Sequence, residues 1–544
     1  MSGALLQLSA LSSQDIYLTS DPEVTLFKKA YLRYTNFSTE TVQVAFDGGI
    51  LQFGENYTTT ATLNNAGDLI SKIVLVVNLA PKTTTSKWGY VNRVGHTMIQ
   101  EVIFRVGQSD IENFNYDWID IYQHIIKDKS QENNYNKIIG DVPSLKKIDN
   151  DHPSYKLFIP LEFFNTKATT SAFPVCALKK DLNVQISVKL KDAMNIINYY
   201  GETEPSLEEL PTIQSSYLLV DYVFLERDEK KLFTENNHEY LIETVESMED
   251  IVSANESKYN LTFDKPTKFL AWYTILDRYN QRNQFMSWAH DNDWEKARNN
   301  FAKLVWLITR EGLNASDSNN PYIVFNDTFV NIGQVPAMIT GGNNMFEKLA
   351  SKVNAIILFA ENINGEIRAK ATVDNIVLIT NNITYEDMST TNAEFREDIN
   401  TTEQQLNFIN IHTYSILEDL NYGNFINRTD NPIVDSSFQL NGKNRFQERD
   451  GFFYNYLQPY YYFKNSPPDG VNLYTFSLHP DQTQPSGTLN LGYINSKDLL
   501  IKIGKYNSQD NEYFTTFFKN GKMRIFACGY NILKIFDKNV ALSY

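Results

Sequence analysis

Residues 441–493 read NGKNRFQERDGFFYNYLQPYYYFKNSPPDGVNLYTFSLHPDQTQPSGTLNLGY. Asn441-Gly442 is a turn pair, because both residues take positive φ at low cost. The NRFQERD patch after it sets Arg445 and Arg449 against Glu448 and Asp450, which reads as an ion-pair network. The aromatic run that follows, from Phe452 to Phe463, reads as a strand whose rings fill a sandwich core or an oligomer interface. Gln458-Pro459 ends it, since proline donates no ladder hydrogen bond. An exposed platform for stacking sugars is the competing reading of the same rings.

Outward from this stretch the periodicity is that of strands. Leu182–Leu190 alternates apolar and polar throughout, as a half-buried strand requires. Val42, Val44 and Phe46 alternate in the same way and meet Asp47-Gly48, which predicts a hairpin returning through Ile50 to Phe53. Asn364-Gly365 separates Ala355–Phe359 from a second extended run, and Asn520-Gly521 joins an aromatic strand, Tyr513–Phe518, to Arg524–Phe526. Ser71–Val77 and Tyr217–Leu225 are near-continuous apolar runs, expected to be covered on both faces. Two helices are placed by apolar spacing. One follows Asp293, through Trp294, Ala297, Phe301, Leu304 and Ile308; the other follows Tyr116, through Trp118, Ile119, Tyr122, Ile125 and Ile126. Many short strands, turn pairs and few helices give an all-β chain of sandwiches. The charged, helix-prone segment 226–238 interrupts two strand-rich regions and is the expected linker.

Three stretches then act together. Gln14-Asp15-Ile16-Tyr17-Leu18-Thr19 leads into Thr25-Leu26-Phe27-Lys28-Lys29-Ala30-Tyr31 and Arg33-Tyr34-Thr35-Asn36-Phe37, with Gly67-Asp68-Leu69-Ile70 about thirty residues later. Leu218–Glu229 reads LLVDYVFLERDE, and the 441–493 stretch closes the series. In this order they resemble the major capsid protein of nucleocytoplasmic large DNA viruses, the proteins that tile phycodnavirus-like and iridovirus-like shells. The resemblance implies two tandem eight-stranded jelly-roll β-sandwiches, with a few short helices and long loops in the second. It divides the chain into an N-terminal arm (1–14), a first jelly roll (15–225), the linker (226–238) and a second jelly roll (239–544) with a long surface insertion around 273–429. It also implies a homotrimer with a pseudo-hexagonal outline, a lattice of such trimers, minor capsid and penton proteins as partners, and an inner membrane layer beneath. The expected location is the virion capsid, after synthesis and assembly in the host cytoplasm. On this reading Arg445, Glu448, Arg449 and Asp450 are candidate assembly contacts, where charges fix register more than they add affinity.

Composition fits a structural role. The 544 residues exceed one core, and 42% hydrophobic with 13% aromatic residues supply packed interiors. A net charge of −16 opposes attraction to phosphate backbones, so no direct nucleic-acid binding is expected. The two cysteines, Cys176 and Cys528, lie far apart and outside any metal motif, consistent with small buried side chains in a reducing compartment. Met1–Leu11 lacks a basic n-region and a long apolar core, so no signal peptide is expected. Asp149-Asn150-Asp151-His152 and His290-Asp291-Asn292-Asp293 read as polar turns rather than metal loops, because neither continues into an EF-hand. No catalytic motif is present, and neither catalytic residue, metal nor cofactor is expected. Of nine Asn-x-Ser/Thr sequons, Asn314, Asn326, Asn382, Asn400 and Asn427 fall in the long insertion and are the glycosylation candidates. The alternatives are a scaffolding or low-abundance capsid paralogue of the same fold, and a carbohydrate-binding or carbohydrate-active jelly roll using two of the many acids.

Overall fold

The computed structural model describes residues 3–275 and 431–543, apart from 29–30, 64–65, 128, 147–148, 200–203 and 505–520. Between these ranges it describes Trp288 and strand residues 322–325, 328–331, 357–363, 366–373 and 376–380.

Eight strands build the first sandwich: β1 (Phe37–Val44), β2 (Thr58–Leu63), β3 (Leu69–Leu79), β4 (Ile99–Val106), β5 (Ser109–Phe114), β6 (Tyr155–Pro160), β7 (Val184–Leu190) and β8 (Ile213–Leu225). One sheet has the order β1-β8-β3-β6 and the facing sheet β2-β7-β4-β5. Eight more follow: β9 (His238–Ile251), β10 (Glu256–Asn260), β11 (Pro266–Ile275), β12 (Ile433–Leu440), β13 (Lys443–Asp450), β14 (Asn472–Thr475), β15 (Lys497–Ile503) and β16 (Lys522–Phe536). Their sheets run β9-β16-β11-β14 and β10-β15-β12-β13. Subtracting eight from each label reproduces the first pair of sheets, so the chain folds one topology twice. Short strands extend these sheets at their margins, and all the pairings are antiparallel.

Alternation explains which face each strand buries. In β7, Val184, Ile186, Val188 and Leu190 point into the core while Gln185 and Lys189 are only half-covered. The expectation for Ser71–Val77 holds in β3 only from Leu75 to Val77, which are all buried; Lys72 is exposed and Ser71 and Val74 are half-buried. Tyr217–Leu225 differs: Leu218, Val220 and Tyr222 are buried and their neighbours half-exposed, because β8 packs on one face only. Gly529 sits mid-strand in β16 where β11 slips register between Thr267 and Phe269. A Cβ there would collide with the Pro266 carbonyl oxygen, so the close backbone approach requires glycine.

Three further expectations are corrected. The Val42–Phe53 hairpin does not form. Strand β1 pairs instead with β8, Val42 opposite Val220; after the Asp47–Gly49 turn the buried Leu51 stays beside β8, its N–H donating to Ser216 Oγ at 2.8 Å, and the chain joins the facing sheet with β2. A turn pair reports that the chain bends, not which strand it then joins. The aromatic run is helical from Phe453 to Tyr462 rather than extended. Pro459 sits where the wider turn Phe453–Leu457 passes directly into the α-helical turn Gln458–Tyr462, inside one continuous helical run. Asp149–His152 is a short strand paired with Lys82–Tyr90 rather than a turn, and the His152 ring stacks on Trp88 with centroids 3.4 Å apart. The helix after Asp293, the Tyr513–Phe518 strand and the His290–Asp293 turn lie outside the described residues, whereas Ile357–Ile363 and Glu366–Val373 pair across residues 364–365 as expected.

The predicted helix after Tyr116 is present as α1 (Tyr116–Ile126), its first turn capped by the Asn115 side chain, which accepts from the Trp118 N–H at 3.3 Å. It joins the two halves. Trp118 packs against Phe269 and Phe526 of the second sandwich, with ring centroids 6.2 and 5.4 Å apart. Beside it Arg524 of β16 pairs with Asp117 of α1 and with Glu249 of β9. Burial pushes the Asp117 carboxyl up from its usual range, and the nearby Arg524 guanidinium pulls it down. A second junction places Lys167 of the first half 3.5 Å from Glu112 and 4.0 Å from Glu243, which also pairs with Lys268. The linker segment is helical as α2 (Arg227–Glu235), where Lys230 reaches back to Asp68 at 2.7 Å.

Removing one member of the Asp117–Arg524 pair strands a buried charge. Arg524→Met is expected to cost about 3–5 kcal/mol in urea unfolding at pH 7, and Asp117→Leu added to it to restore most of that loss.

Candidate assembly site

Asn441 (φ +49°) and Gly442 (φ +75°) make the predicted tight turn between β12 and β13. Strand β13 ends its sheet among the described residues and buries a single side chain, Phe446. That ring sits 4.2 Å from Tyr474, 5.4 Å from Tyr454 and 5.6 Å from Phe438, and these contacts fix which side of the strand faces inward. Arg445, Glu448, Arg449 and Asp450 are therefore exposed. They do not form the expected ion-pair network: among the described residues none of the four pairs with another. Arg449 lies over Phe453 at 5.0 Å and Arg445 over Phe476 at 5.7 Å, because the aromatic faces beside the strand offer cation–π partners at shorter reach.

Asp450 starts the aromatic helix, its Oδ1 accepting from the Phe453 N–H at 2.9 Å. Tyr454 and Asn455 turn inward; the Tyr454 hydroxyl donates to the Ser436 carbonyl at 2.9 Å, and Asn455 holds the loop 468–471 through the carbonyls of Pro468 and Val471. The other side of the helix leaves Phe452, Tyr460 and Tyr461 exposed. Between helix and strand runs an open groove of about 990 Å³, walled on one side by Asp435, Glu448, Arg449 and Asp450 and on the other by Phe452, Tyr456, Leu457 and Tyr460. Partial burial is the largest influence raising the Asp435 carboxyl above its usual range, and repulsion from Glu448 and Asp450 adds to it while Lys502 opposes. The groove is thus acidic and aromatic at once. The Thr483–Thr488 cluster forms a pinned loop nearby, with Ser486 Oγ accepting from the His479 N–H at 2.8 Å and Gly487 at φ +133°.

The sequon residues Asn314, Asn326, Asn382, Asn400 and Asn427 lie outside the described residues. Among the described residues no three His, Cys, Asp or Glu side chains converge as a metal site, and no helix is long and apolar enough to cross a membrane. Cys528 is buried and Cys176 half-buried, and neither forms a disulfide. The Asp117–Arg524–Glu249 junction was not legible beforehand, since its members stand far apart in sequence and carry no motif.

Residues 25–226 match the model of the major capsid protein N-terminus, and residues 229–539 match that of the large eukaryotic DNA virus major capsid protein. The chain belongs to this capsid protein family. Capsid protein 1 of Acanthamoeba polyphaga mimivirus is 30% identical over the full length of both chains, and the major capsid protein of Phaeocystis pouchetii virus is 25% identical, also over the full length of both. Among solved structures, PBCV-1 VP54 superposes with a TM-score of 0.61 at 21% identity, covering 96% of this chain and 100% of its own. The Faustovirus major capsid protein gives 0.60 at 10% identity, covering 97% and 96%. At such identities the likeness carries the double jelly-roll fold, and the family match carries the structural role in the capsid. The capsid protein's two family matches meet at the α2 helix, and its groove lies within the second.

Because the folded state holds the Asp435 proton more tightly than the unfolded chain, ionising this acid opposes folding above its folded pKa. Asp435→Asn is expected to raise the melting temperature at pH 7, and the gain to fade as the pH falls through the carboxylate range, as measured by thermal unfolding across pH 3–7.

Proposed function

We propose that this capsid protein assembles as a homotrimer, the capsomer of an icosahedral shell. The observation that carries the proposal is the repeated strand order: one topology folded twice in a chain gives two similar lobes, and three chains give six. Such a trimer has a pseudo-hexagonal outline and tiles a flat facet although its symmetry is threefold. Threefold closure uses heterologous contacts that close on themselves, and weaker lateral contacts then repeat the trimer. The division that supports this is an arm (1–14), jelly rolls over 15–225 and 239–544 and the linker 226–238, with the insertion 273–429 on the outer surface. Arg445, Glu448, Arg449 and Asp450 act in assembly, and the five insertion sequons are the sites for glycans. Partners beyond the trimer are minor capsid and penton proteins and an inner membrane layer, met after synthesis in the host cytoplasm. The protein works by assembly rather than catalysis.

A second reading has one observation behind it: Acanthamoeba polyphaga mimivirus has several related proteins, named capsid protein 1 and probable capsid proteins 3 and 4. A family with several members in one virus leaves room for a low-abundance paralogue, which copy number in purified particles distinguishes from the shell protein. The primary test is native mass by light scattering. A species near three times 62.7 kDa that survives dilution is expected, and a monomer at micromolar concentration overturns the trimer.

A further inference from the structure

Among the described residues, the N-terminal segment exposes a long run of large apolar side chains. None of its described side chains from Gly3 to Tyr34 is buried, although Val24, Leu26, Phe27, Tyr31, Leu32 and Tyr34 are all large and apolar. Phe27 is 98% and Leu32 97% exposed. Large apolar side chains left this exposed on a folded protein point to a contact with a further surface. Its stretch 24–37 is also opposite in sign to the chain as a whole. Residues 24–37 contain Lys28, Lys29 and Arg33 and no acid, in a protein of net charge −16.

The groove beside β13 has the complementary character. Three carboxylates, those of Asp435, Glu448 and Asp450, face one guanidinium, Arg449, and the opposite wall offers Phe452, Leu457 and Tyr460, the last 78% exposed. We infer that the segment preceding β1, residues 24–28 and 31–34, a basic arm distinct from residues 1–14, seats in this groove of a second copy, with Phe27, Tyr31 and Leu32 against the aromatic wall and Lys28 and Arg33 against the carboxylates. The inference rests on the trimer proposed above and names a contact within it. With the basic arm seated, Thr35 and Asn36 alone link it to β1, a span of roughly 10 Å when extended, so the contact requires the groove of the second copy to lie close to the start of β1. An anionic membrane would also attract bases and apolar rings. However, surface-binding segments present one apolar face from a helix, and none of the described residues between 21 and 36 is helical. The groove matches both features of the arm without requiring it to refold.

The test is a cysteine pair in the full chain, Phe27→Cys with Tyr460→Cys, purified reduced and then mildly oxidised. Both positions are exposed, so folding is preserved, as circular dichroism would verify. Covalent multimers of the chain are expected in most molecules, absent from either single variant, and reduced at least several-fold when Lys28→Glu and Arg33→Glu are added. Native mass is measured on the same samples before oxidation. A trimer without interchain cross-links overturns the arm contact and leaves the capsomer standing. Cross-linked chains without a trimer do the reverse, and a monomer that does not cross-link overturns both. A cross-link confined within one chain assigns the arm to its own groove. Binding to phosphatidylserine vesicles that is lost in the charge-reversed variant, with no cross-link, assigns it to a membrane; both outcomes overturn the contact between copies.

Discussion

A helix that belongs to one sandwich is buried in the other. Tyr116–Ile126 follows β5 directly, yet Trp118 packs on Phe269 and Phe526 and Asp117 is neutralised by Arg524. Two sandwiches joined only by a short linker would move relative to each other, since domain motion is the default unless the interface is large and apolar. Here an aromatic contact supplies area and a buried ion pair supplies direction. An ion pair of this kind adds little net stability, but its geometry tolerates few alternatives. The rolls therefore present their outer surfaces in one relative orientation. A lattice built from six lobes needs that orientation to be the same in every copy.

The same economy governs the strand edges. Each sandwich has two sheets whose terminal strands could template pairing with another chain. Strand β13 deals with this by carrying charge on five of its eight residues and burying Phe446 alone. A charged edge resists indiscriminate strand addition while leaving side chains free for a specific partner. On the proposed reading, assembly and the avoidance of aggregation would draw on the same side chains of β13, and the aromatic helix beside them would add the apolar surface that charge alone cannot supply.

Much of this was legible in the sequence, and the failures share a cause. Alternation in Val184–Leu190 located a strand and its buried face, because a period of two has one structural meaning. The stripe through Trp118, Ile119, Tyr122 and Ile125 located α1 for the corresponding reason at 3.6 residues. The run from Phe452 to Phe463 has apolar side chains at nearly every position, so both periods fit it, and the proline that suggests a strand end lies inside a helical run. The partner of β1 was misassigned because β8 is more than 160 residues away, and local turn chemistry carries no information about distant pairing. The exposed charges of β13 were found, but their aromatic partners were not, since the rings that attract Arg445 and Arg449 come from other elements.

Charge sets the terms on which copies of this chain can meet. Each carries −16, so bringing three together concentrates like charge, and the repulsion acts over the Debye length of about 8 Å at physiological ionic strength. Apolar burial is insensitive to that screening; contacts between exposed charges are not. A trimer sealed by apolar surface would therefore persist across salt concentrations, while lateral contacts between like-charged trimers would strengthen as salt screens the repulsion. A basic arm against an acidic groove runs the other way, since salt weakens its attraction. The proposed contact would set Lys28 and Arg33 beside Phe27 and Leu32 in one segment, and so would combine a salt-sensitive attraction that orients with an apolar contact that holds.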